Sequence, residues 1–173
     1  MWGWLSRTAV AASVAAALVT ATTTAKAESR VLVAGGLGAF DFLHNYTAAE
    51  GRLELRFAQS FLYLKPLLGV FFTHKGSIYT YGGFRFEIPL GPHFMLVPSA
   101  VVGDYEKGSG KDLGSHIEFK TGFEFDFVMA NGVRIGPAFD HVSNAGIGKK
   151  NPGEENLMLM VTVPFGLIAG TGN

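Results

Sequence analysis

From His116 to Phe127 the chain alternates with a period of two. Ile117, Phe119, Phe123, Phe125 and Phe127 fall on one side, with Thr121 among them. His116, Glu118, Lys120, Glu124 and Asp126 fall on the other, with Gly122. Side chains of a strand point alternately to opposite faces, so this pattern predicts a strand with one aromatic and one charged face. Arg52 to Phe57 repeats it, with Leu53, Leu55 and Phe57 set against Arg52, Glu54 and Arg56. Phe84-Arg85-Phe86-Glu87-Ile88 does so again. Val31 to Phe42 reads as a glycine-rich strand. Tyr63 to Thr73, Phe94 to Tyr105, Val133 to His141 and Asn156 to Phe165 complete a set of eight.

Two architectures satisfy such strands. A soluble sandwich turns the charges to water and packs the phenylalanines inside. A membrane barrel does the reverse, with phenylalanine toward lipid and charge toward the lumen. The even strand number favours the barrel, and most segments approach the about 9–11 tilted residues that span a bilayer. The connections agree. Gln59-Ser60, Pro89 to Pro92 and Met129 to Gly132 are short, and Ala130-Asn131-Gly132 is a strong hairpin signal. Leu43 to Gly51, Glu106 to Leu113 and Asn144 to Glu154 are longer and polar, the pattern of outer loops. Only the link around His74 to Ser77 breaks the trend. The expected fold is therefore an all-β, eight-stranded antiparallel transmembrane β-barrel. Pro66, Pro98 and Pro137 lie inside predicted strands, where each removes a ladder donor, so bulges are expected there.

The first residues read differently. Arg7 precedes the Ala- and Val-rich run from Thr8 to Thr20, and Ala25-Lys26-Ala27 is an A-x-A cleavage site. Residues 1–27 are thus expected to be a secretory signal peptide, and residues 28–173 a single outer-membrane barrel domain. The apolar run falls short of the about 20 residues of a spanning helix. The chain has no cysteine, which excludes disulfides and thiol chemistry. Its 14 acidic and 14 basic residues form no basic block, so no nucleic-acid partner is expected.

Candidate chemistry lies where the seventh and eighth strands meet the outer loop. Val133, Ile135, Pro137 and Phe139 form the apolar face of the seventh strand, and the same parity continues to His141 and Ser143. On the eighth, Leu157, Leu159, Val161, Val163 and Phe165 form that face, and one step back by two reaches Glu155. All three polar groups therefore continue the lipid-facing side. Charged or polar groups on that side cost free energy, less so near the interface, and an enzyme attacking lipid esters would gain direct access. His141 could deprotonate Ser143 while Glu155, across the hairpin, orients the imidazole. Asn144 and the backbone of Ala145-Gly146 could supply oxyanion donors. The competing account is that these are ordinary polar residues of a membrane rim.

The stretch from His141 to Glu155 closely resembles the signature of the PagL-type lipid A 3-O-deacylases. His141, Ser143, Asn144-Ala145-Gly146, Asn151, Gly153 and Glu155 all fall in that family's register. The resemblance implies an eight-stranded outer-membrane barrel that removes the ester-linked 3-O acyl chain of lipid A. It implies Ser143 as nucleophile, His141 as general base and Glu155 as its orienting residue, with Asn144 and Gly146 as oxyanion candidates. Glu154 lies on the opposite parity and outside the register. No metal or organic cofactor is implied. The expected partners are lipid A or lipopolysaccharide as substrate and outer-membrane lipids; a homodimer is left open. The chain departs from the family in the residues from Gly166 to Asn173, which follow the last predicted strand.

Other features carry less. Gly35-Gly36-Leu37-Gly38 lacks a third glycine in register and a following helix, so strand bending accounts for it better than nucleotide binding. His44, His74, His93 and His116 are scattered, without metal-ligand spacing. His116, Glu118 and Glu124 are expected in a solvated lumen network. Asn45-Tyr46-Thr47 matches a glycosylation tripeptide but reads as ordinary loop. No G-x-S-x-G elbow surrounds Ser143, which excludes an α/β-hydrolase. Two rival functions stand beside the deacylase: a non-catalytic outer-membrane barrel, and a soluble periplasmic lipocalin-like barrel whose Phe ladder lines a cavity.

Overall fold

The computed structural model describes residues 31–171; the signal-peptide reading lies outside them. Nine strands follow one another: β1 Val31–Phe40, β2 Ala48–Phe57, β3 Lys65–Thr73, β4 Ile78–Arg85, β5 Ile88–Pro89, β6 Phe94–Glu106, β7 Ile117–Val128, β8 Arg134–Ser143 and β9 Glu154–Pro164. Each pairs antiparallel with its neighbour in sequence, except that β4 and β5 both pair with β6. They do so in one unbroken register, Arg85 opposite Ser99 and Ile88 opposite Leu96. β4 and β5 are thus two parts of one barrel strand. β1 pairs with β9 and closes an eight-stranded antiparallel barrel. Closure leaves no open edge whose amides would face lipid unpaired. Among the described residues no helix is long and apolar enough to cross a membrane.

The faces are inverted relative to a soluble protein. On β7, Phe119, Phe123, Phe125 and Phe127 point outward and are exposed, whereas Glu118, Lys120, Glu124 and Asp126 point inward and are buried. The rings of the Phe ladder face outward rather than into a cavity, which removes the lipocalin reading. The lumen is packed rather than solvated. Arg56 holds Glu54 at 2.8 Å and Glu124 at 2.6 Å. Arg52 holds Glu50 at 2.8 Å and pairs with Asp140. Lys120 lies 4.7 Å above the Tyr81 ring. Toward the outer end, Phe40, Phe71, Tyr79 and Tyr105 stack into an aromatic plug with centroids 5.3–6.5 Å apart. The hollow left among the charges measures about 10 Å³, room for about one water.

The structure corrects several sequence expectations. None of the three prolines makes a bulge, because every ladder keeps a constant offset. Each sits instead where pairing stops. Pairing between β2 and β3 ends at Leu67, one residue from Pro66. Phe86 N donates to Pro98 O at 2.9 Å, but Pro98 has no N–H to return, and β4 breaks from β5 there. The pairs that would join Phe125 to Pro137 and Asp126 to Gly136 are missing from the β7–β8 ladder. The fourth strand therefore begins earlier than Phe84, and the second earlier than Arg52. The turn after β2 is longer than Gln59-Ser60: Phe61 and Leu64 exchange backbone hydrogen bonds at 3.0 and 2.9 Å across Leu62 and Tyr63, both at positive φ. His116 stands outside the lumen on the outer rim, 3.4 Å from Glu106. After β9 the chain turns into a short helix, α1, Phe165–Ile168. Gly36 and Gly38 are lumen-facing; a Cβ on Gly36 would meet Met160 Sδ at 2.2 Å, so β1 is glycine-rich to let β9 approach.

Candidate active site

The outer end of β8 continues the outward parity from Phe139 to His141 and Ser143. His141 stands directly opposite Glu155 in the β8–β9 ladder and opposite Thr121 in the β7–β8 ladder; Ser143 faces Phe119. The ladder brings His141 Nδ1 to 3.1 Å from Glu155 Oε1. An ionised carboxylate only accepts, so Nδ1 is the donor in this contact, and in the neutral imidazole Nε2 is then the acceptor. Glu155 is largely buried and the imidazole about half exposed, at 18% and 45% of their side-chain surfaces. Ser143 is partly exposed, and its Oγ makes no hydrogen bond among the described residues. The His141–Glu155 contact is therefore formed, and no hydrogen bond joins Ser143 to His141 among the described residues.

The residues between Ser143 and Glu155 build the loop that roofs the site. Asn144 is fully buried. Its Nδ2 donates to Leu113 O and Lys150 O, both at 2.8 Å, and its Oδ1 accepts Gly146 N at 2.9 Å. Its own backbone N donates to Asn151 Oδ1 at 3.0 Å. Ala145 and Gly146 both take positive φ to make the turn. The donors of Asn144 and Gly146 expected at an oxyanion are thus engaged within the loop in this conformation. Asp112 fastens this loop to the preceding outer one: its carboxylate takes Lys150 Nζ at 3.1 Å and Gly114 N at 2.9 Å. The Lys150 hydrogen bond, with help from Gly114, holds the Asp112 carboxyl below its ordinary range.

Gly153 supports the imidazole. Its φ is +60°, and a Cβ there would lie 2.8 Å from His141 Cε1. Gly153→Ala should therefore push the ring off Glu155 and slow turnover about 10- to 100-fold, the usual cost of misplacing a reacting group by about 1 Å. Initial rates on a barrel shown to be folded by its heat-modifiable gel migration check this; an unchanged rate would mean the ring has room to spare.

Residues of two other outer loops complete the surroundings. Asp41 reaches Glu154 and His44 reaches Glu155 from the loop after β1, and Lys111, from the loop before β7, pairs with Asp41. Glu154 itself is buried on the lumen side, as its parity requires, and accepts Asp41 N at 3.2 Å. The signal for His44 was barrel closure: β1 neighbours β9, so the loop after β1 must lie beside the start of β9.

An inside-out eight-stranded barrel, with a His–Glu pair and a serine at one end of its outer wall, is the architecture of an outer-membrane β-barrel. Residues 38–164 match the family model for lipid A 3-O-deacylase (PagL). The chain belongs to that family. Its fold is similar to the crystal structure of the outer membrane enzyme PagL, with a TM-score of 0.58 and 22% identity over 77% of this chain and 99% of that one. It is also similar to Neisserial surface protein A, at TM-score 0.56 and 12% identity over 78% and 96% of the two chains. A de novo designed transmembrane β-barrel matches at TM-score 0.56 and 9% identity over 81% and 98%. No curated protein sequence matches. The protein is an outer-membrane barrel of a deacylase family.

Proposed function

We propose that the protein hydrolyses the ester-linked 3-O acyl chain of lipid A with Ser143, His141 and Glu155. The observation that carries this reading is the 3.1 Å His141–Glu155 contact on the lipid-facing wall, two residues along the same face from Ser143. Ser143 Oγ attacks the acyl carbonyl while His141 Nε2 takes its proton. The tetrahedral intermediate collapses as His141 returns that proton to the sugar oxygen, leaving an acyl-serine. Water, deprotonated by His141, then releases a free 3-hydroxy fatty acid and restores the serine. Glu155 holds the imidazole and offsets the charge it acquires. Oxyanion stabilisation by Asn144 or Gly146 would require the loop to release one of their present contacts. One chain supplies all three residues, so the site needs no second copy.

The family membership and the outward trio support an enzyme over a non-catalytic barrel. The test is twofold. Purified protein in detergent micelles is treated with a fluorophosphonate, which traps activated serines, and the adduct is mapped by peptide mass spectrometry. In parallel, lipid A from expressing cells is weighed. The expected result is one phosphonyl group on Ser143 and lipid A lighter by one hydroxyacyl chain. Unchanged lipid A would favour the structural barrel; lost acyl with an unlabelled Ser143 would move the nucleophile elsewhere.

A further inference from the structure

We propose that His44 is a positioning residue for Glu155, making the working set a relay of His44, Glu155, His141 and Ser143. The proposal rests on the Ser/His/Glu reading above. Glu155 uses its two oxygens on two different histidines: Oε1 lies 3.1 Å from His141 Nδ1, and Oε2 lies 3.1 Å from His44 Nδ1. The same His44 nitrogen is 3.2 Å from Asp41 Oδ1. It therefore stands between two carboxylates. Glu155 Oε2 is closed off from solvent and has no aligned hydrogen-bond donor among the described residues. His44 Nδ1, 3.1 Å away, is the nitrogen in reach of that oxygen.

The loop that delivers His44 is firmly built. Asp41 is fully buried and sits at φ 52°, a conformation that costs a non-glycine residue about 1 kcal/mol or more. That strain is held by many contacts. Asp41 Oδ1 accepts Lys111 Nζ at 2.6 Å, Oδ2 accepts Tyr46 N at 3.1 Å, and its backbone N donates to Glu154 Oε2 at 3.2 Å. Phe42 N donates to Glu155 O at 3.0 Å, tying the loop to the residue it serves. His44 N returns to Asp41 O at 3.1 Å, and Thr47 Oγ1 closes on His44 O at 3.0 Å. Strain concentrated beside a reacting group is the mark of a segment shaped for its task.

Oxygens and nitrogens of Asp41, His44 and Glu155 lie within 4.8 Å of one another, a spacing that a divalent cation could also bridge. Lys111 argues against that occupant: its ammonium already fills Asp41 Oδ1 and repels a second cation. The imidazole is the better bridge. With His44 in place, an imidazole fills the space between Asp41 and Glu155. Without it, Glu155 Oε2 loses the neighbour that fixes its orientation, and the carboxylate is free to turn away from His141.

The test compares His44→Phe, which keeps the ring and loses the donor, with His44→Asn, whose amide nitrogen reaches the Nδ1 position. Ser143→Ala is run beside them, and gel migration confirms that every barrel is folded. His44→Phe is expected to lower kcat about 10- to 100-fold while KM moves less than about twofold, as befits a residue acting only through Glu155. His44→Asn should recover most of the lost kcat. Undiminished kcat in His44→Phe, equal loss in both His44 variants, or a loss confined to KM would each overturn the positioning role. Those results leave the triad standing as long as Ser143→Ala is dead; activity in Ser143→Ala would instead overturn the reading beneath it.

Discussion

Ser143→Ala is expected to lower deacylation by about 10⁵- to 10⁶-fold and to leave the barrel as stable as before. The size follows from what a triad does as a unit: losing the nucleophile removes nearly all of its contribution at once. The unaltered stability follows from the structure. Ser143 is partly exposed on the outer wall, and its hydroxyl bonds to no described residue, so its loss orphans no buried partner and should cost within about 0.5 kcal/mol. Glu155→Gln makes an informative companion. It keeps the shape but can place an amide donor against His141 Nδ1, favouring the wrong tautomer, and its expected loss is smaller, about 10⁴-fold. Rates of acyl release from lipid A in micelles, followed by mass spectrometry, measure both. A serine variant within tenfold of the wild type would end the nucleophile assignment.

Much of this architecture was legible in the sequence because lipid imposes a simple rule. A spanning strand must show lipid every second residue, so the ladder Ile117, Phe119, Phe123, Phe125 and Phe127 announced both the strand and its outward face. The same parity put His141, Ser143 and Glu155 on one wall, where they stand. What parity does not encode is pairing in the third dimension. The partners of Pro66, Pro98 and Pro137 decide whether a missing N–H makes a bulge or ends a ladder, and those partners are fixed by register. Asn144 looked like a free donor beside Ser143; only the packing of two outer loops shows its amide committed to Leu113 and Lys150. His44 looked scattered because it lies 111 positions before Glu155 in the chain, and closure of β1 on β9 removes that distance. Loop residues are placed by the contacts of several segments at once, and a single-strand periodicity carries none of them.

Arg52→Met should destabilise the folded barrel by about 3–5 kcal/mol, the cost of breaking a buried ion pair from one side. Arg52 lies in the middle of the lumen and is 3% exposed. Its Nε and Nη2 donate to Glu50 Oε1 at 3.0 and 2.8 Å, its Nη1 pairs with Asp140, and the Phe71 ring lies 6.0 Å away. Take away the guanidinium and two carboxylates remain in a space with no bulk water, with Lys120 at 3.4 Å from Asp140 as the cation in reach. Glu50 would fare worst, since its Oε2 already lacks a partner among the described residues. Replacing the whole set, Arg52→Met with Glu50→Leu and Asp140→Leu, should recover most of the loss, because well-packed apolar groups of similar volume often replace a buried ion set at little cost. Urea unfolding in lipid vesicles, read by gel migration and circular dichroism, separates the two variants. The effect reaches the outer wall because Asp140 directly precedes His141: the lumen charges hold β8 from within, and His141 stands on the opposite side of the same strand. Folded Arg52→Met protein should accordingly lose activity beyond its unfolded fraction, whereas the triple variant should regain stability and rate together. An unfolding midpoint that does not move in Arg52→Met would mean that water reaches the lumen charges and hydrates them.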